Sequence, residues 1–407
     1  MPWFRALAAL IIACSFAQAA DWPQWLGPNR DGVSIETVAP WKGPLKVLWK
    51  QPLGEGHSSP VVADGRVFVH TKGQGNEESV QAFDAKDGKP LWTKSYAREP
   101  YKGLFGAGPR ATPTVAAQRV YTYGITGVLS CYDTASGRVV WQVNALKEFK
   151  APKLFFGASC SPLVDGNVVL VNVGGQGASV VAFHKDTGKT VWQKLDDGAS
   201  YSSPIVFGEG KARQAVFLTQ EGLVALHPAD GTHFWRFPLK DRLLESSVTP
   251  VRAGGLLVGS AITAGTVGLR LKVGSDKSEV SEAWKNTDVT CYFATPVPVG
   301  NDQLYLVTGS LAAKQAVLRC LETATGKELW KKGGVGVYHA SLLRTGDGKL
   351  LMLEEKGNLV LVEPDAKGYR ELARASICGN TWAHPAVANG RLYIRDGKEL
   401  ICVELPQ

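Results

Sequence analysis

The chain lacks the short motifs that mark the common enzyme classes. Its 407 residues contain no G-x-S-x-G, no H-E-x-x-H, no C-x-x-C and no G-x-G-x-x-G. The seven His residues are dispersed, so no set of metal ligands is visible. The tetrapeptide T-G-K-T at 187–190 resembles the end of a phosphate-binding loop, but Phe183 stands where that loop requires Gly. The sequence therefore indicates neither a catalytic residue nor a metal site.

Runs of like charge are also missing. Lys and Arg outnumber Asp and Glu by 45 to 37, which gives a net charge of +8, yet no run of five like charges occurs. Nucleic-acid binding needs basic residues that cluster on one stripe of the surface. The sequence therefore predicts a solvated, mildly basic surface and no nucleic-acid partner.

Long apolar runs are absent except at the N-terminus. Arg5 precedes an apolar run at 6–16, and the small residues A-Q-A-A follow it. This order is typical of an export signal, and the run is too short to span a bilayer. Residues 1–20 are therefore predicted to be a signal peptide, and the protein is expected in the periplasm or attached to the cell envelope. A second interpretation stays open, in which I-I-A-C ends at a lipid-anchored Cys14.

What the sequence does contain is a repeated pattern of Asp, Gly and Trp. It reads A-F-D-A-K-D-G-K-P-L-W at 82–92 and C-Y-D-T-A-S-G-R-V-V-W at 131–141. Its closing positions, 43 to 51 residues apart, are Trp49, Trp92, Trp141, Trp192, Trp235, Trp284, Trp330 and Ala373. A second marker, Ser/Thr/His-Pro, keeps the same spacing at Pro60, Pro113, Pro162, Pro204, Pro250, Pro296 and Pro385, with Ser341 in the eighth place. This period is typical of β-propeller blades.

The strands within each unit predict how the propeller closes. Each unit offers four short strands, with tight turns such as Asp64-Gly65. The last segment, 382–405, offers only three, and V-L-W-K around Trp49 supplies the fourth. We therefore predict an all-β, eight-bladed propeller of four-stranded antiparallel blades over 43–407, closed by an N-terminal strand that completes the last blade. Residues 21–42 are interpreted as a lead-in whose Trp residues pack on the propeller.

The repeat A-x-D-x-x-x-G-K-x-x-W resembles that of the quinoprotein, or PQQ-like, propeller family. The likeness extends from about residue 43 to the C-terminus. The family includes PQQ-dependent alcohol dehydrogenases and outer-membrane assembly lipoproteins of the BamB type. The resemblance implies the fold, but it leaves the chemistry open, because Trp and Gly serve blade packing in both branches.

Two functions follow from the resemblance. The first is an exported, non-catalytic scaffold of the BamB type, expected to be a monomer that needs no cofactor and binds a protein partner or a small ligand. Almost the whole chain is blade, which favours this interpretation. The alternative is a PQQ-dependent dehydrogenase of alcohols or sugars, which would hold PQQ with calcium. The adjacent Cys-Cys pair and the long insertions of those enzymes are missing here.

One position in the repeat predicts a site. The residue three places before each Pro marker should lie where the chain enters the innermost strand, at the mouth of the central channel. Trp and Gly repeat at their own positions, but this position varies, and it includes aromatic, basic and hydroxyl side chains suited to a concave site. The predicted ligand or partner residues are His57, Arg110, Ser159, Tyr201, Ser247, Phe293, Tyr338 and Trp382. His339 and His384 are close in sequence, and a plugged channel without a ligand is the alternative.

The other repeat positions predict packing. The closing Trp residues are expected to dock between adjacent blades, where each buries a large aromatic surface. Cys131, Cys320 and Cys402 occupy the Ala position of the repeat and are expected in the core. Equivalent positions in different blades are too far apart for a disulfide. Pairing among Cys160, Cys291 and Cys378 is left open.

Overall fold

The computed structural model describes residues 21–274, 278–309 and 314–407. The predicted signal peptide, with Cys14, lies outside the described residues. The regular secondary structure of the described chain is almost all strand, with one four-residue α-helix, Ala145–Glu148, and a 3-10 turn at Gly210–Ala212. Within those three ranges no helix has the length and apolar character that a bilayer crossing requires.

The strands form eight four-stranded antiparallel sheets, which are the blades of a propeller. Strand β1 (Val47–Pro52) comes first in the chain. Blade 1 holds β2 (Val61–Ala63), β3 (Arg66–Lys72), β4 (Glu77–Asp84) and β5 (Pro90–Ala97), and blade 2 holds β6 (Thr114–Ala116), β7 (Arg119–Tyr123), β8 (Val128–Asp133) and β9 (Val139–Asn144). Blade 3 holds β10 (Leu163–Asp165), β11 (Val168–Gly175), β12 (Ala178–His184) and β13 (Thr190–Lys194), and blade 4 holds β14 (Ile205–Phe207), β15 (Gln214–Leu218), β16 (Gly222–Leu226) and β17 (His233–Pro238).

The second half of the chain repeats this order. Blade 5 holds β18 (Val251–Ala253), β19 (Leu256–Ala261), β20 (Gly265–Lys272) and β21 (Glu279–Asn286), and blade 6 holds β22 (Val297–Val299), β23 (Gln303–Thr308), β24 (Ala316–Glu322) and β25 (Glu328–Gly336). Blade 7 holds β26 (Ala340–Arg344), β27 (Leu350–Glu354), β28 (Asn358–Glu363) and β29 (Arg370–Ser376), and blade 8 holds β30 (Ala386–Ala388), β31 (Arg391–Arg395), β32 (Glu399–Glu404) and β1. The predicted fold class is confirmed.

The N-terminal strand closes the ring. Strand β1 pairs antiparallel with β32, with Lys50 opposite Ile401 and Gln51 opposite Leu400. One hydrophobic cluster then spans both ends of the chain, because Trp49 packs with the core of blade 8 and with Phe83 of blade 1. Without β1, the outer edge of β32 would be left unpaired.

The Ser/Thr-Pro marker forms hydrogen bonds between neighbouring blades around the channel. The hydroxyl just before the Pro accepts a backbone N–H from the equivalent position of the preceding blade. Thus Thr112 N–H donates to Ser161 Oγ and Ser161 N–H donates to Ser203 Oγ, each at 2.9 Å. His384 N–H donates in the same way to Ser59 Oγ at 2.9 Å. The marker therefore has a structural role that explains its regular spacing.

The closing Trp side chains lie between blades. Six of them donate the indole N–H to a backbone carbonyl of the next blade: Trp49 to Ala85, Trp92 to Thr134, Trp141 to Lys185, Trp192 to Pro228, Trp284 to Thr323 and Trp330 to Asp365. For all of these except Trp330, the ring covers the Gly of the next blade's turn. At Gly188, which has φ +69°, a Cβ would lie 2.7 Å from the Trp141 ring. The turn therefore needs Gly for both its conformation and this contact.

Trp235 is the exception among these Trp residues. It is buried between blades 4 and 5, but its N–H donates to Gln214 Oε1 of its own blade at 2.8 Å. The next blade does not carry the D-x-x-x-G turn between β20 and β21. The other six Trp residues donate to a backbone carbonyl of that turn, whereas Trp235 donates to the side chain of Gln214.

The lead-in closes the end of the channel opposite the mouth. Trp22 bridges to Val62 on the inner strand of blade 1, and it is 2% exposed. Arg30 is also buried, and it donates to the carbonyls of Ser161 and Pro162, each at 2.9 Å. Further along, Ser34 N–H donates to the carbonyl of Arg344 in blade 7. The lead-in therefore crosses the channel and joins blades on opposite sides of the ring.

The cysteines of the described chain are free thiols. Cys131, Cys320 and Cys402 are buried in the blade cores. No disulfide joins Cys160, Cys291 or Cys378 in the part of the chain that the structure covers. The blades are therefore held together by packing and hydrogen bonds.

Candidate functional site

A cavity opens at the mouth of the channel, where the inner strands begin. The inner strands of neighbouring blades contact one another around this axis. Of the eight predicted site residues, the structure brings seven together in the wall of this one cavity: His57, Arg110, Ser159, Tyr201, Ser247, Phe293 and Trp382. The eighth, Tyr338, lies beside the cavity with its ring 5.9 Å from that of Trp382. The repeat position therefore maps onto a single place in the fold.

The cavity is small and has a closed floor. It encloses about 130 Å³. An engineered cavity of about 150 Å³ in another protein binds benzene, so this one accepts a group of about one aromatic ring. Trp25 of the lead-in and His384 of blade 8 line the closed end, with their rings 4.7 Å apart. Trp25 is fixed there because its N–H donates to Thr249 Oγ1 at 2.8 Å.

Trp382 organises the aromatic wall. Its ring stacks with those of His57 and Phe293, each with the ring centres 5.3 Å apart, and Phe105 lies at 5.0 Å. The indole N–H donates to Glu355 Oε1 at 2.7 Å, and the other oxygen of that carboxylate accepts two backbone N–H groups from blade 7. Trp382 is therefore held by both packing and hydrogen bonds, which gives the wall a defined shape.

Two opposite charges line the cavity without pairing. Arg110 donates to the carbonyls of Phe156 at 2.5 Å and Gly106 at 3.4 Å. In the described ranges no carboxylate lies within the 4.0 Å ion-pair distance of its guanidinium. Glu245 accepts a hydrogen bond from the Tyr292 hydroxyl and likewise has no cationic partner there. Among the described residues, the cavity wall therefore presents one cation and one anion that have no ion-pair partner.

Tyr201 also lines the cavity, and both charges act on its hydroxyl. Its hydroxyl accepts the N–H of Phe156 at 3.2 Å, and the carbonyl of the same Phe156 accepts from Arg110. Burial raises the pKa of Tyr201, Glu245 raises it further, and Arg110 lowers it. Both charges thus act on the same hydroxyl from within the cavity.

Three histidines around the cavity are neutral at pH 7. Burial, with a contribution from Arg110, lowers the pKa of His57 to about 4, and its Nε2 lies 2.9 Å from the carbonyl of Phe105. Burial lowers the pKa of His339 to about 4, and it lowers the pKa of His384 as well. The rings of His339 and His384 are 5.5 Å apart, and none of their four nitrogens has a hydrogen-bond partner in the described chain. Of the two, His384 lines the cavity, so its unpaired nitrogens are open to a ligand or water.

Several lining residues have no signal in the repeat. Trp25 comes from the lead-in, and Phe105, Phe156 and Glu245 come from the loops that join one blade to the next. These segments differ in length and sequence from blade to blade. A Gly-rich stretch before Arg110 and the apolar pair Phe155-Phe156 hint at them, but only the folded chain shows which residues meet.

The cavity does not fit PQQ with calcium. PQQ is a tricyclic tricarboxylate, whereas the cavity holds about one ring and offers Arg110 as its single unpaired cation. Glu245 is the single carboxylate in its wall. No group of three or more His, Cys, Asp or Glu suited to a metal occurs in the described ranges. Calcium sites use six to eight oxygen ligands, which this wall does not supply.

Comparison with known proteins identifies relatives over the whole propeller. A family described as "Outer membrane protein assembly factor BamB" matches residues 45–108, 76–332 and 219–407. The BamB protein of Shewanella oneidensis is 24% identical over 371 residues, which cover 78% of this chain and 86% of that protein. The quinoprotein alcohol dehydrogenase PedH of Pseudomonas putida is 26% identical over 198 residues, which cover 46% of this chain and 31% of the enzyme.

Solved structures of both kinds of relative, BamB proteins and quinoprotein dehydrogenases, have the same fold as this chain. BamB from Moraxella catarrhalis superimposes with a TM-score of 0.59 at 17% identity and covers 88% of this chain and 97% of its own. A europium-containing methanol dehydrogenase superimposes with a TM-score of 0.64 at 12% identity and covers 95% and 98% of the two chains. At such identities the superpositions establish the fold alone.

Proposed function

The chain belongs to the family of the outer membrane protein assembly factor BamB, and from this premise we propose that it is an exported, non-catalytic scaffold for outer-membrane protein assembly. One observation carries the proposal. The family match runs from residue 45 to 407, the whole propeller, whereas each of the quinoprotein dehydrogenases matches 37% to 46% of the chain. A scaffold of this kind acts by binding a protein partner.

The mouth face is the surface best suited to that partner. Large apolar side chains stand exposed on its loops: Leu104 at 70%, Phe155 at 69% and Leu243 at 57%. These loops join blades 1 to 2, 2 to 3 and 4 to 5. Exposed apolar groups near one another on one face are typical of protein interaction sites. The opposite face is formed by the D-x-x-x-G turns and the lead-in, whose Trp residues are turned inward or buried, although Ile35 of the lead-in is 76% exposed.

Crosslinking in the cell tests this proposal. A photoreactive amino acid is placed singly at Leu104, Phe155 or Leu243, and control positions are taken from the opposite face at Lys86 and Ala135. We expect adducts with a component of the outer-membrane assembly machinery from the three mouth positions and none from the controls. Equal crosslinking from both faces, or none from the mouth face, would contradict the assignment of the partner surface.

PQQ-dependent oxidation of alcohols or sugars is the alternative function. The partial matches to dehydrogenases are what raise it, and the cavity wall disfavours it. Adding PQQ with Ca²⁺ to the purified protein is expected to give neither bound-cofactor absorbance nor dye-linked oxidation. Observing both would reverse the assignment.

The proposal includes export and leaves a choice of N-terminus. A soluble periplasmic form would begin near Asp21, and an envelope-bound form would begin at a lipidated Cys14. The mass of the N-terminal peptide of the mature protein distinguishes the two. We propose a monomer in either form.

A further inference from the structure

We propose that the mouth cavity binds a small zwitterion with a single aromatic ring, a free aromatic α-amino acid such as tyrosine. The cavity is a different surface from the exposed side chains of Leu104, Phe155 and Leu243, although the same loops contribute Phe105, Phe156 and Glu245 to its wall. It lies inside the channel, between Trp382 and the lead-in.

The size and wall of the cavity define the ring. About 130 Å³ accommodates one six-membered aromatic ring, and the cavity is open toward the mouth, so the charged groups of the ligand are not confined to that volume. Aromatic side chains line it from several blades, among them Phe105, Phe156, Phe293 and Trp382. Aromatic rings favour one another in offset or edge-to-face contacts. The wall therefore suits a flat apolar ring better than a sugar or an aliphatic chain.

The two unpaired charges define the ends of the ligand. Arg110 and Glu245 both line the cavity, and neither has a partner of opposite charge within 4.0 Å in the described residues. A partly buried charge is stabilised by an opposite charge that it can hydrogen-bond. An α-amino acid supplies both, with its carboxylate for Arg110 and its ammonium for Glu245.

The floor of the cavity favours a hydroxyl on the ring. His384 is 3% exposed, lines the cavity, and has no partner for either ring nitrogen. The neighbouring Trp25 N–H is already taken by Thr249. A phenol hydroxyl at the far end of the ring can donate to one imidazole nitrogen or accept from the other. Tyrosine therefore satisfies a group that phenylalanine leaves unpaired.

The ends of a polypeptide fit less well than a free amino acid. A C-terminal residue offers a carboxylate but no ammonium, and an N-terminal residue offers the reverse. Each leaves either Glu245 or Arg110 without its partner. The requirement for both charges thus separates the free amino acid from a terminus of a partner protein.

Calorimetric titration of the purified full-length protein tests the inference. The ligands are L-tyrosine, L-phenylalanine, tyramine, which lacks the carboxylate, and 3-(4-hydroxyphenyl)propionate, which lacks the ammonium. We expect L-tyrosine to bind, and each of the other three to bind roughly tenfold or more weakly, because each leaves one charged or polar group unpaired. No binding of L-tyrosine at millimolar concentration overturns the proposal.

Two variants assign the charges. Arg110→Gln is expected to weaken L-tyrosine about tenfold or more while leaving tyramine unchanged, and Glu245→Gln is expected to weaken L-tyrosine while leaving the propionate unchanged. The thermal transition of each variant shows whether it folds. If one variant does not fold, the ligand affinities of the other test the assignment. If neither variant changes L-tyrosine affinity, the assignment is wrong. The mouth-face crosslinks do not depend on these residues, so the two proposals fail separately.

Discussion

At the scale of single residues, the Trp at the end of each repeat links one blade to the next. Trp141 is 8% exposed, and its indole N–H donates to the carbonyl of Lys185 at 2.7 Å. Its ring covers Gly188 of the next blade, so the Trp and the Gly of the repeat meet across a blade boundary. The repeat thus contains residues for the interface between blades as well as for the blade itself.

Trp141→Ala is expected to lower the free energy of unfolding by about 3–5 kcal/mol, because it removes a buried aromatic ring and leaves a cavity. Denaturant unfolding measures the change. Val139→Ala, on the same strand at 46% exposure, is the matched control and is expected to change stability by less than about 1 kcal/mol. A Trp141→Ala protein that unfolds with the control would show that the ring contributes little at this boundary.

The buried histidines predict how stability depends on pH. The pKa of His57 and that of His339 are each lowered to about 4, below the unfolded value of about 6.5, so the unfolded chain binds more protons between these values. Their contribution is complete above about pH 6.5 and is lost as the pH falls toward 4, by about 1.4 kcal/mol per pH unit for each group.

A variant isolates one of these groups. His339→Gln is expected to flatten the loss of stability between pH 6.5 and pH 4 relative to the unmodified protein, although it also lowers stability at pH 7. His184, at the end of β12 and outside the cavity wall, gives the control His184→Gln. Unfolding midpoints across the pH range measure both slopes, and equal slopes for His339→Gln and the parent would contradict the prediction.

At the scale of elements, β1 carries the closure of the ring. It pairs with β32 along its length and buries Trp49 against blade 1. Deleting residues 43–54 is expected to expose the edge of β32 and to lower the melting temperature strongly, because both the strand pairing and the Trp49 contact are lost. A synthetic peptide of residues 43–54, added in excess, is expected to restore part of the loss. Unchanged melting after the deletion would refute the closure.

The repeat explains which elements the sequence predicts well. Blade number, strand order and closure follow from features that recur, such as the Asp64-Gly65 turn and Trp49. The lead-in and the inter-blade loops occur once each, so no internal comparison shows how Trp25 or Glu245 is placed. Trp235 is a further case, because its hydrogen bond depends on a turn that the next blade has lost. The sequence therefore predicts the channel residues that the blades supply, but not those that the lead-in and the inter-blade loops supply.

At the scale of the whole molecule, the propeller is stable without disulfides in the described chain. Six thiols are free, and burial raises the pKa of each to about 11 or about 12. Because the thiolate is the reactive form, these groups are protected in a compartment that oxidises accessible thiols.

A thiol reagent at pH 8 is therefore expected to leave these six cysteines unlabelled in the folded protein and to label all of them in guanidinium. Peptide mapping identifies each site. Cys378, which is not fully buried, serves as the internal reference and is expected to react first as denaturant is added. Rapid labelling of Cys131 or Cys402 in the folded state would show that the blade cores open.

The lead-in also gives the molecule a direction. Because residues 21–42 close one end of the channel, a ligand bound next to Trp382 can enter and leave only through the other end. A protein seated on the mouth-face loops would cover that exit. Residence time would then become a property of the complex: the ligand would dissociate slowly while the partner is bound and quickly after it departs, even if the cavity itself stays the same.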